Sequence, residues 1–172
     1  MADETTPTAP GSPAAPAPRT TECGVTIPPA LMAAPGYQVR RLYQAYLAVW
    51  VRAVDPTLTG PQFAVLTAVD ATPGRDQRSM ASAVALDTST MADVARRLES
   101  RGLIVRRTDT ADGRRKLLYL TAEGERTLRG AHDRARQLDA RLLTPYDDDR
   151  RADVMDLLTS LADHWEGLAG GS

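Results

Sequence analysis

A small set of hydroxyl-bearing and charged side chains carries the chemistry of this chain. Thr88, Ser89, Thr90 and Ala92 open an apolar-periodic segment, with Asp93, Arg96 and Arg97 further along its polar side. Asp112, Arg114 and Arg115 follow in a Gly-containing turn. Hydroxyls and guanidiniums of this kind recognise phosphates and base edges. No nucleophile–base pairing, phosphate loop or metal motif accompanies them, so the sequence assigns no catalytic residue and no cofactor.

Within the segment, Met91, Val94, Ala95 and Leu98 form the stripe expected to be buried, and the residues named above occupy the other side. Hydroxyls at a helix start suit phosphate and base-edge contact, and unpaired backbone N–H groups there are expected to add to anion binding. Arg96 and Arg97, further along, fit phosphates better than bases. Asp93 is expected either to accept from a cytosine amino group or to orient Arg97 at i,i+4 spacing. Asp112 and Arg114 stand two apart, so the carboxylate is expected to hold the guanidinium extended towards a minor groove. Arg106, Arg107, Arg115 and Lys116 surround that pair with positive charge.

These side chains need a scaffold, and the pattern supplies one. Residues 37–54 repeat Val39, Leu42, Tyr43, Tyr46, Leu47, Trp50 and Val54 at helical spacing. A second helix starts at Thr59 as N-cap, with Pro61 in its first turn, and Pro73-Gly74 stops it. A short third spans 77–84 behind Asp76. The fourth runs from 89 to 101, capped by Thr88 or Asp87 and closed by Gly102. Two β-prone runs, 103–108 and 116–120, follow, and Thr121 caps a long helix. A last helix after Thr144-Pro145 repeats Val154, Leu158, Leu161, Trp165 and Leu168. Helix, Gly stop and hairpin in this order are what a winged helix needs to hold DNA: a helix in the major groove and a hairpin tip in the adjacent minor groove. The fold class is mostly α with a small β-hairpin. The last two helices, the first of them repeating Leu128, Ala131, Ala135, Leu138 and Leu142, carry seams that either pack within the chain or, as favoured here, form a homodimer.

Composition agrees. The net charge of −1 conceals a division: residues 75–116 hold ten Arg or Lys against six Asp or Glu, a balance of +4, and residues 145–172 hold two against seven, a balance of −5. Eight of the twelve prolines fall within residues 1–35, a segment expected to be disordered, although residues 25–32 are apolar enough to fold back on the body. The folded domain is expected over 36–172. The N-terminus reads as no secretory signal, no run suits a membrane span, and the single cysteine, Cys23, suits a reducing compartment, so the expected location is cytoplasmic. His132 and His164 lie on different helices without further metal ligands.

The run LT-x-x-Q-F-x-V-L (residues 58–66), then DTSTMADVARRLESRGLI, D-G-R and LTAEG (residues 120–124), resembles the MarR family of transcriptional regulators over residues 37 to about 168. The resemblance implies a dimer joined through helices 37–54 and 122–168, around a winged-helix core over 59–121. It also implies a pseudo-palindromic double-stranded operator, with Asp112 and Arg114 as the wing pair. Two residues depart from the pattern. Arg75 replaces an aliphatic residue of the short first strand, which is expected to weaken it. Ala85 replaces a frequent Gly, so the turn there need not be left-handed.

The stretch 35–50 is similar to the first helix of members released from DNA by a small anionic aromatic ligand, bound between the dimerisation and DNA-binding parts. By that resemblance Arg40, ahead of Arg41, would hold the ligand carboxylate, and Tyr43, Tyr46 and Trp50 would wall the ring. The alternative is that the aromatics belong to a dimer core and Arg40 pairs with an acidic residue. Redox switching through Cys23, and a winged helix used for protein contacts, are the competing functions.

Overall fold

The computed structural model describes residues 19–170. It has two compact units, Met1–Tyr46 and Leu47–Ser172.

In the first unit, strands β1 (Arg19–Thr20) and β2 (Thr26–Ile27) pair antiparallel. Helix α1 (Pro29–Met32) is one turn, and α2 (Pro35–Ala53) begins after it. The proline content predicts disorder over most of 1–35, with 25–32 apolar enough to fold back. Residues 1–18 lie outside the described residues, but 19–32 are locally ordered. Thr21 accounts for this: its carbonyl accepts from Gly24 N–H and its hydroxyl from Val25 N–H, closing a turn that proline content alone does not reveal.

The second unit contains the last turns of α2, then α3 (Gly60–Ala71), α4 (Gln77–Ala83), α5 (Thr88–Ser100), β3 (Ile104–Thr108), β4 (Lys116–Leu120), α6 (Ala122–Leu142) and α7 (Asp148–Gly170). The starts of α3, α4, α5 and α6 match capping residues visible in the sequence. Thr59 and Gln62 form a reciprocal capping box on α3, and Pro61 sits where its missing N–H costs nothing. Leu58, Val65, Leu66, Val69, Met80, Met91, Leu98, Ile104, Leu118 and Leu138 fill the core, each almost fully buried. The expected stripe of α5 is buried throughout, Val94 and Ala95 lying with Met91 and Leu98. Trp50 is also buried: its indole N–H donates to the Leu58 carbonyl at 2.6 Å, and its ring tilts on Phe63 at 5.2 Å.

β3 and β4 pair in the register Ile104↔Leu120 to Thr108↔Lys116. The strand expected to be weak around Arg75 is reduced to a single bridge, Asp76↔Leu117, with Gly74 N–H and Leu118 N–H bonding across it to the Leu118 and Arg75 carbonyls.

Helices α4 and α5 end by the same device. In both, the second residue past the cap bonds back five residues (Leu86 to the Ala81 carbonyl, Leu103 to the Leu98 carbonyl) and the first past the cap bonds back three (Ala85 to Ser82, Gly102 to Glu99). That closure requires a left-handed residue. Gly102 supplies it at φ 69°, and Ala85 supplies it at φ 52°, alone among the described non-glycine residues. The expectation that alanine releases this turn from the left-handed form is therefore corrected: two backbone hydrogen bonds outweigh the local strain of one Cβ. Ala85→Gly should relieve that strain and raise unfolding stability by about 0.5–1 kcal/mol, read as a denaturation midpoint shifted upward; an unchanged or lowered midpoint would contradict the argument.

Candidate nucleic-acid interface

Asp87 is the N-cap of α5, and Thr88 is its first helical residue. One carboxylate oxygen of Asp87 accepts from Ser89 N–H and Thr90 N–H, each at 2.9 Å, and from the Ser89 hydroxyl at 2.5 Å. The other accepts from the Thr90 hydroxyl at 2.5 Å. The hydroxyls hold the Asp87 carboxyl well below the usual carboxylate range, those of Ser89 and Thr90 contributing most. This corrects the expectation of anion binding at the helix start: a side-chain anion already occupies those two N–H groups. The side chains of Thr88, Ser89 and Thr90 remain exposed.

Along the same helix Asp93 pairs with Arg96, not with Arg97, at 2.5 Å. Both i+3 and i+4 are neighbours on a helix, and here the nearer turn wins. The pair is well exposed and contributes little to stability. Arg97 is exposed and makes no side-chain hydrogen bond or ion pair among the described residues. Ala92 is half-buried beside them.

In the turn between β3 and β4 the expected Asp112–Arg114 side-chain pair is not formed. Asp112 instead accepts the backbone N–H of Arg114 at 3.0 Å, because a spacing of two is the geometry of an Asx turn. The Arg114 guanidinium is left exposed and without a partner among the described residues. Arg115, expected to face DNA, reaches back across the fold: its guanidinium donates to Asp76 at 2.7 Å and stands 3.6 Å from Asp109. Asp76 thereby caps α4 through Arg78 N–H and Ser79 N–H and also holds the wing; the Ser79 N–H, then Arg115, keep its carboxyl well below the usual range. The cations expected to surround the tip divide similarly. Arg106 is bound by Glu99 of α5, Arg107 lies over the Tyr119 ring at 4.8 Å, and Lys116 bonds the Thr108 hydroxyl at 2.8 Å.

Of the residues read from the sequence as DNA contacts, Thr88 of α5 and Arg114 and Arg115 of the wing line one hollow of about 450 Å³, together with Lys116 and with Asp76, Gln77 and Arg78 at the start of α4; Ser89, Thr90, Ala92, Asp93, Arg96, Arg97 and Asp112 are not part of its lining. Arg78 was not singled out in the sequence. Its only local sign is a position two residues after the Asp76 cap, and a cation there has no meaning until the wing folds beside it.

Of the residues read as ligand contacts, Arg40 and Tyr43 are exposed on α2 and Tyr46 is half-buried. Arg40 forms no ion pair among the described residues, whereas Arg41 donates to Gln38 at 2.9 Å. Trp50 is part of the core described above.

The MarR family model matches residues 58–116. The chain is 43% identical to the PcaV transcriptional regulator from Streptomyces coelicolor, solved in complex with its natural ligand, with a TM-score of 0.75 over 77% of this chain and 94% of that one. It is 31% identical to the transcriptional repressor CouR bound to a 23-mer DNA duplex, with a TM-score of 0.69 over 77% of this chain and 94% of CouR. It is 27% identical to Bordetella bronchiseptica BpsR, solved in a study of how 6-hydroxynicotinic acid regulates its DNA binding, with a TM-score of 0.72 over 76% of this chain and 94% of BpsR.

Proposed function

Since this chain belongs to the MarR family of transcriptional regulators, we propose that it represses transcription as a homodimer on a pseudo-palindromic operator and leaves the DNA when a small aromatic carboxylate or phenol binds. The observation that carries the DNA reading is the shared hollow: the start of α5 and the wing cations open onto one surface. In this reading α5 enters the major groove, Arg114 follows the minor groove, and Arg78, Arg97 and Lys116 meet phosphates. Helix α7 supports the dimer. None of its residues is buried within the chain, and Leu157, Leu158, Leu161, Trp165 and Leu168 are all exposed. An apolar series of that length calls for a partner surface.

The test is a titration of the full chain with a duplex carrying an inverted repeat and with a scrambled duplex, over a range of salt. A preference of about a thousandfold or more for the repeat is expected, with log K falling against log salt by about 0.9 for each phosphate neutralised. Equal, salt-independent binding to both duplexes would overturn the proposal.

The effector reading rests on α2 and on the relatives: BpsR is regulated by an aromatic acid and PcaV holds a natural ligand. Arg40 and Tyr43 stand three apart along α2, as do Tyr43 and Tyr46, so a carboxylate held by Arg40 would lie beside the Tyr43 ring, with Tyr46 three residues further on. We assign the walls to the tyrosines, because the Trp50 ring and N–H are engaged in the core. One charge-assisted hydrogen bond contributes about 1.5–3 kcal/mol, and inverting a two-state population takes about 5.5 kcal/mol of differential binding. Arg40 therefore acts with other contacts. Arg40→Ala should weaken the response to an aromatic acid about tenfold or more while operator affinity stays near that of the parent chain, both read by fluorescence anisotropy of the duplex. Loss of DNA binding in this variant would make Arg40 structural.

A further inference from the structure

We infer that Asp87 sets the base preference of the recognition helix by fixing Ser89 and Thr90 as hydrogen-bond acceptors. This rests on the reading of α5 as the DNA-reading helix and names what that helix selects.

An ionised carboxylate has no proton to give, so every hydrogen bond it makes is an accepted one. Both Asp87 oxygens are occupied: one by the Ser89 hydroxyl and the two backbone N–H groups, the other by the Thr90 hydroxyl. Each hydroxyl has a single proton, and in both residues that proton points at Asp87. What Ser89 and Thr90 present to solvent is lone pairs. The backbone donors of both residues face the same carboxylate, so neither residue has a donor left for a phosphate oxygen or a base carbonyl.

Base edges in the major groove differ in just this respect. Adenine N6 and cytosine N4 are donors, whereas guanine O6 and thymine O4 are acceptors. An acceptor-only pair of hydroxyls therefore favours an amino-bearing base and disfavours a keto base. The charge of Asp87 acts in the same sense, attracting the positive edge of an amino group and repelling phosphates. Phosphate contact consequently passes to Arg78, Arg97 and Lys116. A hydroxyl without such a partner rotates to suit either kind of base, so the selectivity resides in Asp87, which needs no base contact of its own.

The experiment is selection from a randomised duplex library by the full chain and by Asp87→Asn. Asparagine keeps an oxygen to cap the backbone but places an amide donor against one hydroxyl, which turns that hydroxyl proton outward. The parent chain should enrich adenine or cytosine over guanine or thymine about tenfold at one position in each half-site, within what one base contact carries. Asp87→Asn should abolish or invert that preference at the same position and leave the salt dependence of binding unchanged. If Asp87→Asn folds poorly by circular dichroism, Asp87→Ser, whose single oxygen caps the helix while leaving the two hydroxyl protons unheld, decides instead by an amino preference lowered at that position. Unchanged base preference in a folded variant would overturn the inference. A parent chain that binds no duplex would overturn the DNA reading itself, and the two failures are thus distinguishable.

Discussion

Gly124→Ala should cost about 3–5 kcal/mol of stability, even though glycine-to-alanine changes within a helix ordinarily stabilise by roughly 1 kcal/mol. Gly124 lies in the first turn of α6, and a Cβ built on it would stand 2.0 Å from the Leu103 carbonyl oxygen. That oxygen is backbone and already accepts from Thr121 N–H at 3.1 Å, with the Thr121 hydroxyl 3.2 Å away sharing its single proton between it and the Gly102 carbonyl, so it has no room to retreat. Thr121 at the same time accepts from Gly124 N–H at 3.0 Å and donates to the Gly102 carbonyl at 2.6 Å. The close approach thus joins the end of α5, the start of β3 and the start of α6. A methyl group would force these apart and displace both the wing and α5. A loss of this size is a large share of the 5–15 kcal/mol that holds a typical domain together. Gly130 is the internal control: it is in the same helix and a Cβ there would meet nothing within 4 Å, so Gly130→Ala should be neutral or slightly stabilising. Urea denaturation of both variants at one protein concentration checks the pair. Equal midpoints would show that the backbone at Leu103 yields freely.

Arg114→Ala should weaken operator binding by roughly ten- to a hundredfold, the value of one charge-assisted hydrogen bond at about 1.5–3 kcal/mol. Its guanidinium is the wing-tip cation left without a partner among the described residues. Arg115 beside it is held by Asp76 and Asp109, and Arg106 by Glu99. The stability of the protein should be nearly unchanged, since Asp112 organises the turn through the Arg114 backbone N–H, which alanine retains. If the contact includes a phosphate, the slope of log K against log salt should also fall by about 0.9. Titrations at several salt concentrations measure both quantities. Unchanged affinity together with an unchanged slope would remove Arg114 from the interface.

How far these features were legible in the sequence depends on the distance over which each interaction acts. Thr59, Asp76 and Thr121 were readable as N-caps because a cap bonds two or three residues ahead. The α5 stripe of Met91, Val94, Ala95 and Leu98 was readable because burial follows the helical repeat. Even local spacing left choices open. Asp93 had Arg96 and Arg97 equally in reach, and Asp112 had both the side chain and the backbone of Arg114. Ala85 was misread because helix closure depends on hydrogen bonds around it and not on its own preference.

The order of the elements from residue 35 onward, the caps of α3 to α6, the hydrophobic stripes and the concentration of positive charge in residues 75–116 were therefore determined by the sequence itself. Each follows from contacts within a turn or two of helix, or from the alternation of a strand. The tertiary structure alone decided which arginines remain available. Arg115 meets Asp76 from 39 positions away, and Arg101 meets the Thr57 carbonyl from 44. It alone, too, placed Gly124 against the Leu103 carbonyl and Arg78 beside the wing. An ion pair or a close backbone approach between distant segments exists only once the core has brought them together, and no local spacing encodes it.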